Sequence, residues 1–148
     1  MEPISDFKEL LRLFNSRSVE YLVVGGYALA FHGVPRATGD LDLFVRPEPA
    51  NAERILEALE TFGFGSVGLT RQDFEQEGRV VRLGVPPVRV ELLTRLSGVT
   101  WDEAWAGRAA GSYGGVPVQF IGREAFVSNK RAAGRSKDLA DLEELGER

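Results

Sequence analysis

The sequence predicts an α/β (α+β) chain: a mixed β-sheet with helices packed mainly on one face. Two observations carry that expectation. Strand-like and helix-like hydrophobic periods alternate from end to end, and no repeat, low-complexity tract or linker interrupts them. At 148 residues the chain also falls within the usual size of one domain that buries its own core. Residues 1–148 are therefore expected to form a single domain that closes with C-terminal helices over 122–147.

The first element is expected over Asp6–Arg17, a helix capped by Ser5, with Phe7, Leu10, Leu11 and Phe14 on one stripe. Tyr21–Val24 is an apolar, β-prone run. Gly25 and Gly26 follow it, then a short helix through Phe31, a turn, and a strand running Asp40-Leu41-Asp42-Leu43. Pro47–Phe62 has helical spacing, with Ile55, Leu56, Leu59 and Phe62 on its buried face and Gly63 at its end. The glycine-rich stretch 63–78 is expected to be loop with a short irregular element, with Arg71, Asp73, Glu75 and Glu77 in solvent. Arg79–Leu83 and Val88–Leu93 are expected as adjacent strands joined across Gly84–Pro87. Thr100–Arg108 is a short helix whose Trp101 and Trp105 flank the core, the alternative being a stacking surface for a base. Val116–Ile121 is the last strand, placed at the sheet edge because of Pro117. Arg123–Glu147 is helical in two pieces with a break near Gly134–Arg135.

Charge and composition narrow the function. The net charge of −4 argues against general affinity for nucleic acid or an anionic membrane. Without cysteine there are no disulfides, thiolate metal sites or cysteine nucleophile, and His32 as the single histidine leaves zinc a poor ligand set. His32 is expected to pack at its helix end. The N-terminal stretch has charges inside its apolar pattern, so neither a signal peptide nor a membrane span is expected, and the chain is read as cytoplasmic.

The chemistry concentrates in residues 21–45. A helix that begins at Gly25–Gly26 directs free backbone N–H groups and its positive dipole end outward, an anion-binding arrangement. On the next strand Asp40 and Asp42 share one face while Leu41, Leu43 and Val45 line the other. Carboxylates about 7 Å apart along a strand repel one another unless a cation joins them, and hard oxygen ligands suit Mg²⁺. In Val88–Leu93, Glu91 likewise lies opposite the apolar set.

The local pattern GGYALAFHG…PRATGDLDLFV resembles the motif of the polymerase-β-like nucleotidyltransferase superfamily. It is most similar to small stand-alone bacterial members linked to abortive-infection and toxin–antitoxin systems. The similarity extends to the C-terminal segment, where Lys130-Arg131…Gly134-Arg135-x-Lys137-Asp138-x-x-Asp141 resembles the family's last motif. Five basic residues stand there against Glu124 alone over 122–137.

The resemblance implies a nucleotidyltransferase-like fold and transfer of a nucleoside monophosphate from an NTP to an acceptor such as an RNA end, a protein side chain or a small molecule. It implies two Mg²⁺ ions, with Asp40, Asp42 and Glu91 as catalytic metal ligands; the family's third carboxylate is usually an aspartate. Gly25, Gly26 and Lys130 would receive the phosphates. Thr38 would bond within the turn or reach phosphate, and Arg36 would contact nucleotide or a nearby acid. Asp138 and Asp141 are expected as salt-bridge partners. Many relatives have Gly-Ser where this chain has Gly26-Tyr27, so a catalytically silent nucleotide-binding or regulatory module, such as one half of a toxin–antitoxin pair, is the alternative. A chain of this length leaves little room for an acceptor-binding domain, so a homo-oligomer or a partner protein is expected.

Overall fold

The computed structural model describes residues 3–35 and 38–147. Its elements run α1 (Ser5–Ser16), β1 (Tyr21–Val24), α2 (Gly25–Phe31), β2 (Leu41–Val45), α3 (Pro49–Leu59), α4 (Gln72–Glu75), β3 (Val80–Val85), β4 (Val88–Leu93), α5 (Trp101–Ala106), β5 (Ala109–Tyr113), β6 (Val116–Phe120), α6 (Arg123–Ala133) and α7 (Ser136–Glu144). Among the described residues the strands form one mixed sheet in the order β3-β4-β2-β1-β6-β5. β1 runs antiparallel to β2, β2 parallel to β4, and β1 parallel to β6, while β3–β4 and β5–β6 are antiparallel hairpins.

Period-2 alternation divides the central strands into two faces. Tyr21, Val23, Leu41, Leu43, Val45, Val90 and Leu92 share one face by register and are buried. α1 packs here with its stripe of Phe7, Leu10, Leu11 and Phe14 fully buried, Phe14 meeting the Tyr21 ring edge-on at 5.7 Å. α3 is tied to the strand ends by Asn51. Its buried side chain accepts from Glu20 N and donates to the carbonyls of Glu20 and Arg46, which satisfies polar groups that would be costly to bury unpaired. The opposite face carries Asp42, Phe44, Glu91 and Leu93.

Two local expectations are corrected. Ser5 is the first residue inside α1 rather than its cap: Ile4 holds the cap position with no side-chain cap bond, and its own N–H donates to the Tyr113 hydroxyl at 2.8 Å. The short element expected within 63–78 is α4, and its fully buried Phe74 anchors this stretch to the core by one aromatic. α3 continues into a π-turn over Glu60–Phe64, where Gly63 has φ 118°.

The second correction concerns Pro117. β6 is interior to the sheet, and the edge is β5, a strand of small residues (Ala109, Ala110, Gly111, Ser112) whose weak signal hid it. Pro117 is tolerated because the two-residue turn at Gly114–Gly115 makes Ser112–Pro117 a non-hydrogen-bonded pair, so its missing N–H points away from β5. On that side β1 has not yet begun, and Asn15 Nδ2 donates to the Pro117 carbonyl at 2.7 Å.

Candidate active site

The site is written in the sheet register. Asp42 on β2 stands beside Glu91 on β4, and Glu91 stands beside Arg82 on β3, so these three side chains form one row across the sheet. One pleat further along the same face, Asp40 stands beside Arg89. Arg89 donates from Nη2 and Nε to Asp40 Oδ2 at 2.7 and 3.0 Å, and Arg82 donates from Nε to Glu91 Oε1. The parallel β2–β4 pairing thus brings together the two halves of an acidic cluster that lie about fifty residues apart. Carboxylate oxygens of Asp40, Asp42 and Glu91 all lie within 4.8 Å of one another.

Three carboxylates at this spacing are not comfortable neighbours. Burial, then a hydrogen bond with Glu91 and the charges of Glu91 and Asp40, push the Asp42 carboxyl up to about 7; the nearby Lys137 acts the other way. Asp42 Oδ1 is buried without a hydrogen-bond partner in the described structure. A divalent cation would meet both demands, supplying a partner for that oxygen and cancelling the repulsion. By its own chemistry, then, the donor set fits Mg²⁺, with Asp40, Asp42 and Glu91 as the residues that could hold it.

The triad opens on a cavity of about 580 Å³ whose walls include Gly25, Gly26, Thr38, Asn129, Lys130 and Lys137. The glycine pair is there for a reason the sequence did not disclose. A Cβ on Gly25 would stand 2.2 Å from Asp42 Oδ2, and one on Gly26 would stand 2.4 Å from Thr38 Cγ2. Gly25 also has φ 68°, which favours glycine. Both residues therefore admit side chains of this same protein, seating Asp42 and Thr38 close against the start of α2. Arg36 lies outside the described residues.

The far wall belongs to α6 and α7, which break at Gly134 in the left-handed conformation, as the sequence indicates. Lys130, the expected phosphate ligand, lines the cavity, but its ammonium is already held by Asp138 at 3.2 Å and Asp141 at 3.0 Å. Burial would raise the Asp138 carboxyl, yet hydrogen bonds from Arg135 and Lys130 outweigh it and hold the group at about 2. The Asp138 and Asp141 pairs are thus as expected. Lys137, exposed at the start of α7, has no carboxylate within ion-pair distance among the described residues and faces the triad across the cavity. The motif alone does not say which of the two lysines is engaged.

The sequence reading leaves out two neighbours of the acidic triad, Arg82 and Arg89. Their signal was present: on alternating strands each shares Glu91's face, and a positive charge beside an acid is the expected cross-strand partner. His32 packs at the end of α2, its Nε2 2.8 Å from the Ile121 carbonyl. Trp101 is buried against Phe44 and stacks on Trp105 at 5.3 Å, while Arg108 covers the Trp105 ring at 4.0 Å, so the pair flanks the core. Among the described residues no helix is long and apolar enough to cross a membrane.

Comparison with known proteins bears on the fold and the family. Over 96% of this chain and 91% of the other, the fold is similar to a crystal structure of a nucleotidyltransferase candidate from Thermotoga maritima, at 15% identity and a TM-score of 0.60. It is also similar to an antigenic nucleotidyltransferase-like protein from Paracoccidioides brasiliensis, at 18% identity and a TM-score of 0.56, over 97% of this chain and 75% of that one. At such identities the likeness speaks for the fold alone. Among curated proteins no match was found. The profile of the family described as nucleotidyl transferase of unknown function (DUF2204) matches residues 4–148. Nearly the whole chain is covered, and the protein belongs to that nucleotidyl transferase family.

Proposed function

We propose that the protein is a Mg²⁺-dependent nucleotidyltransferase that moves a nucleoside monophosphate from an NTP to the hydroxyl of an acceptor: an RNA end, a protein side chain or a small molecule. The observation that carries this reading is the acidic cluster, three carboxylates with oxygens within 4.8 Å, from β4, β2 and the residue just before β2, opening on a cavity walled by Lys137 and the start of α2. In the reaction the acceptor oxygen forms a bond to the α-phosphorus, the bond to the bridging oxygen breaks, and pyrophosphate leaves. Bound Mg²⁺ would neutralise charge at the reacting phosphate and favour ionisation of the acceptor hydroxyl.

The chain's own part is positioning and charge. Asp40, Asp42 and Glu91 hold the cation on one sheet face, and Gly25 lets Asp42 sit against the start of α2. Lys137 faces the triphosphate as the unengaged cation, while Lys130, bound by Asp138 and Asp141, fixes α6 to α7 and so fixes the wall that carries Lys137. In this reading Lys130 supports the phosphate site from behind.

A direct test is pyrophosphate release from each NTP in the presence of cellular RNA, protein and small-molecule fractions. Release by the wild-type chain is expected to fall by at least a hundredfold in Asp42→Ala; equal release from the mutant rules out the metal assignment. A second reading, nucleotide binding without transfer as one half of a toxin–antitoxin pair, draws support from the arginines already bound to Asp40 and Glu91, which leave those acids satisfied without a cation. Calorimetric binding of an NTP with neither adduct nor pyrophosphate in the mass spectrum would select it.

A further inference from the structure

The acidic triad shares its sheet face with two guanidiniums. Arg89 places two nitrogens on a single oxygen of Asp40, and Arg82 engages one oxygen of Glu91. Three carboxylates against two guanidiniums leave the cluster with a single net negative charge, little to attract a divalent cation. The two contacts are also of a kind that is easily released. Arg82 and Arg89 side chains are 62% and 36% exposed, and ion pairs at such exposure contribute little to stability. The Lys130–Asp138 pair, with side chains 12% and 1% exposed, shows what a structural staple looks like in this same molecule.

We propose that Arg82 and Arg89 are exchangeable counter-ions of the triad. They occupy oxygens of Glu91 and Asp40 while no divalent cation is present, hold down the affinity for the cation alone, and are displaced when cation and polyphosphate arrive together. Arg82 lines the cavity, so on displacement its guanidinium meets the anion that came with the cation. Cation and polyphosphate binding are coupled as a result: each is weak alone, because each must otherwise break pairs without replacing them. This inference rests on the metal-site reading above.

The test is Mn²⁺ binding to the full chain, followed by electron paramagnetic resonance without any nucleotide, for wild type, Arg82→Gln, Arg89→Gln and Arg82→Lys. Circular dichroism melts confirm that each variant is folded. Removing a unit charge a few ångströms from the ion is expected to tighten Mn²⁺ binding by roughly fivefold in either glutamine variant, while Arg82→Lys keeps the wild-type affinity. Binding of the Mn²⁺–pyrophosphate complex is expected to weaken by a similar factor in Arg82→Gln. Unchanged or weaker Mn²⁺ binding in the glutamine variants overturns the inference, because the arginines would then orient the carboxylates rather than compete for them. Unchanged pyrophosphate affinity in Arg82→Gln removes that residue's part in anion binding. Equal Mn²⁺ binding by wild type and Asp42→Asn is a separate result: it refutes the metal site itself and this inference with it.

Discussion

Substituting alanine for Gly25 should cost far more than the loss of one glycine, and the structure says how much. Gly25 has φ 68°, and an L-residue in the left-handed region costs about 1–2 kcal/mol. The added Cβ would also lie 2.2 Å from Asp42 Oδ2, 3.0 Å from Cγ and 3.1 Å from Cβ. Asp42 is a short side chain on a central strand and cannot swing away whole, so overpacking adds about 1–3 kcal/mol. Gly134→Ala supplies the control. It has φ 62° but nothing nearer than the Arg131 carbonyl at 3.5 Å, so only the backbone penalty applies. Urea denaturation should therefore show Gly25→Ala destabilised by about 2–5 kcal/mol and Gly134→Ala by about 1–2 kcal/mol. In the double mutant Gly25→Ala/Asp42→Ala, about 1 kcal/mol or more should return as a coupling energy, since the carboxyl group that clashes is gone. Equal costs at the two glycines, with no coupling to Asp42, would refute the claim that Gly25 exists to seat that carboxylate.

Other outcomes follow from the charges. In metal-free protein the Asp42 carboxyl, raised from 3.8 to about 7, binds its proton more tightly folded than unfolded. Stability should thus be greatest below about pH 4 as far as this group is concerned, and fall by up to about 4 kcal/mol as pH rises through 7. Asp42→Asn should flatten that limb in urea melts taken across pH 4–8, and an unchanged slope would show that Asp42 does not titrate there. Lys130→Met takes from buried Asp138 and Asp141 the cation they share, Arg135 still holding Asp138, and should cost about 3 kcal/mol in the same assay, the lower end for a broken buried pair. Lys137→Ala, at an exposed position, should stay within about 0.5 kcal/mol of wild type yet weaken NTP binding in calorimetry. A reversal of these two effects would return Lys130 to the phosphate.

How much of this was legible beforehand depends on whether the signal was local. The Asp40/Asp42 face, the opposed face of Glu91, the α1 stripe and the Gly134 break each follow from a few adjacent residues, and all are present as read. β5 was not legible, because Ala109, Ala110 and Gly111 carry no β signal of their own; pairing with β6 makes them a strand. Pro117 misled for a related reason. A missing N–H forbids only one side of the ladder, and which neighbours a strand has is a tertiary fact. The Ser5 cap failed by one residue, within the usual uncertainty of helix ends. At the site, pattern placed the lysines in one segment but could not say that Lys130 is consumed by Asp138 and Asp141.

The arrangement also shows why the acids and the arginines belong to one problem. β4 reaches β2 only after the chain has left the sheet through α3 and α4 and returned along β3, so the hairpin partner of β4 is delivered with it. Parallel pairing fixes Glu91 beside Asp42; the antiparallel hairpin then fixes Arg82 on the far side of Glu91, and the next residue along that face of β4 is Arg89, beside Asp40. A fold that assembled only the carboxylates would place three like charges on one sheet face before any cation arrived, each opposing the strand pairing that brings them together. With Arg82 and Arg89 built into the same registers, the sheet closes over a nearly balanced cluster. Among the described residues Asp42 is the one member of the triad with no guanidinium on it, and it is the one that Gly25 holds against α2, so a cation meets there the carboxyl oxygen that the sheet leaves without a partner.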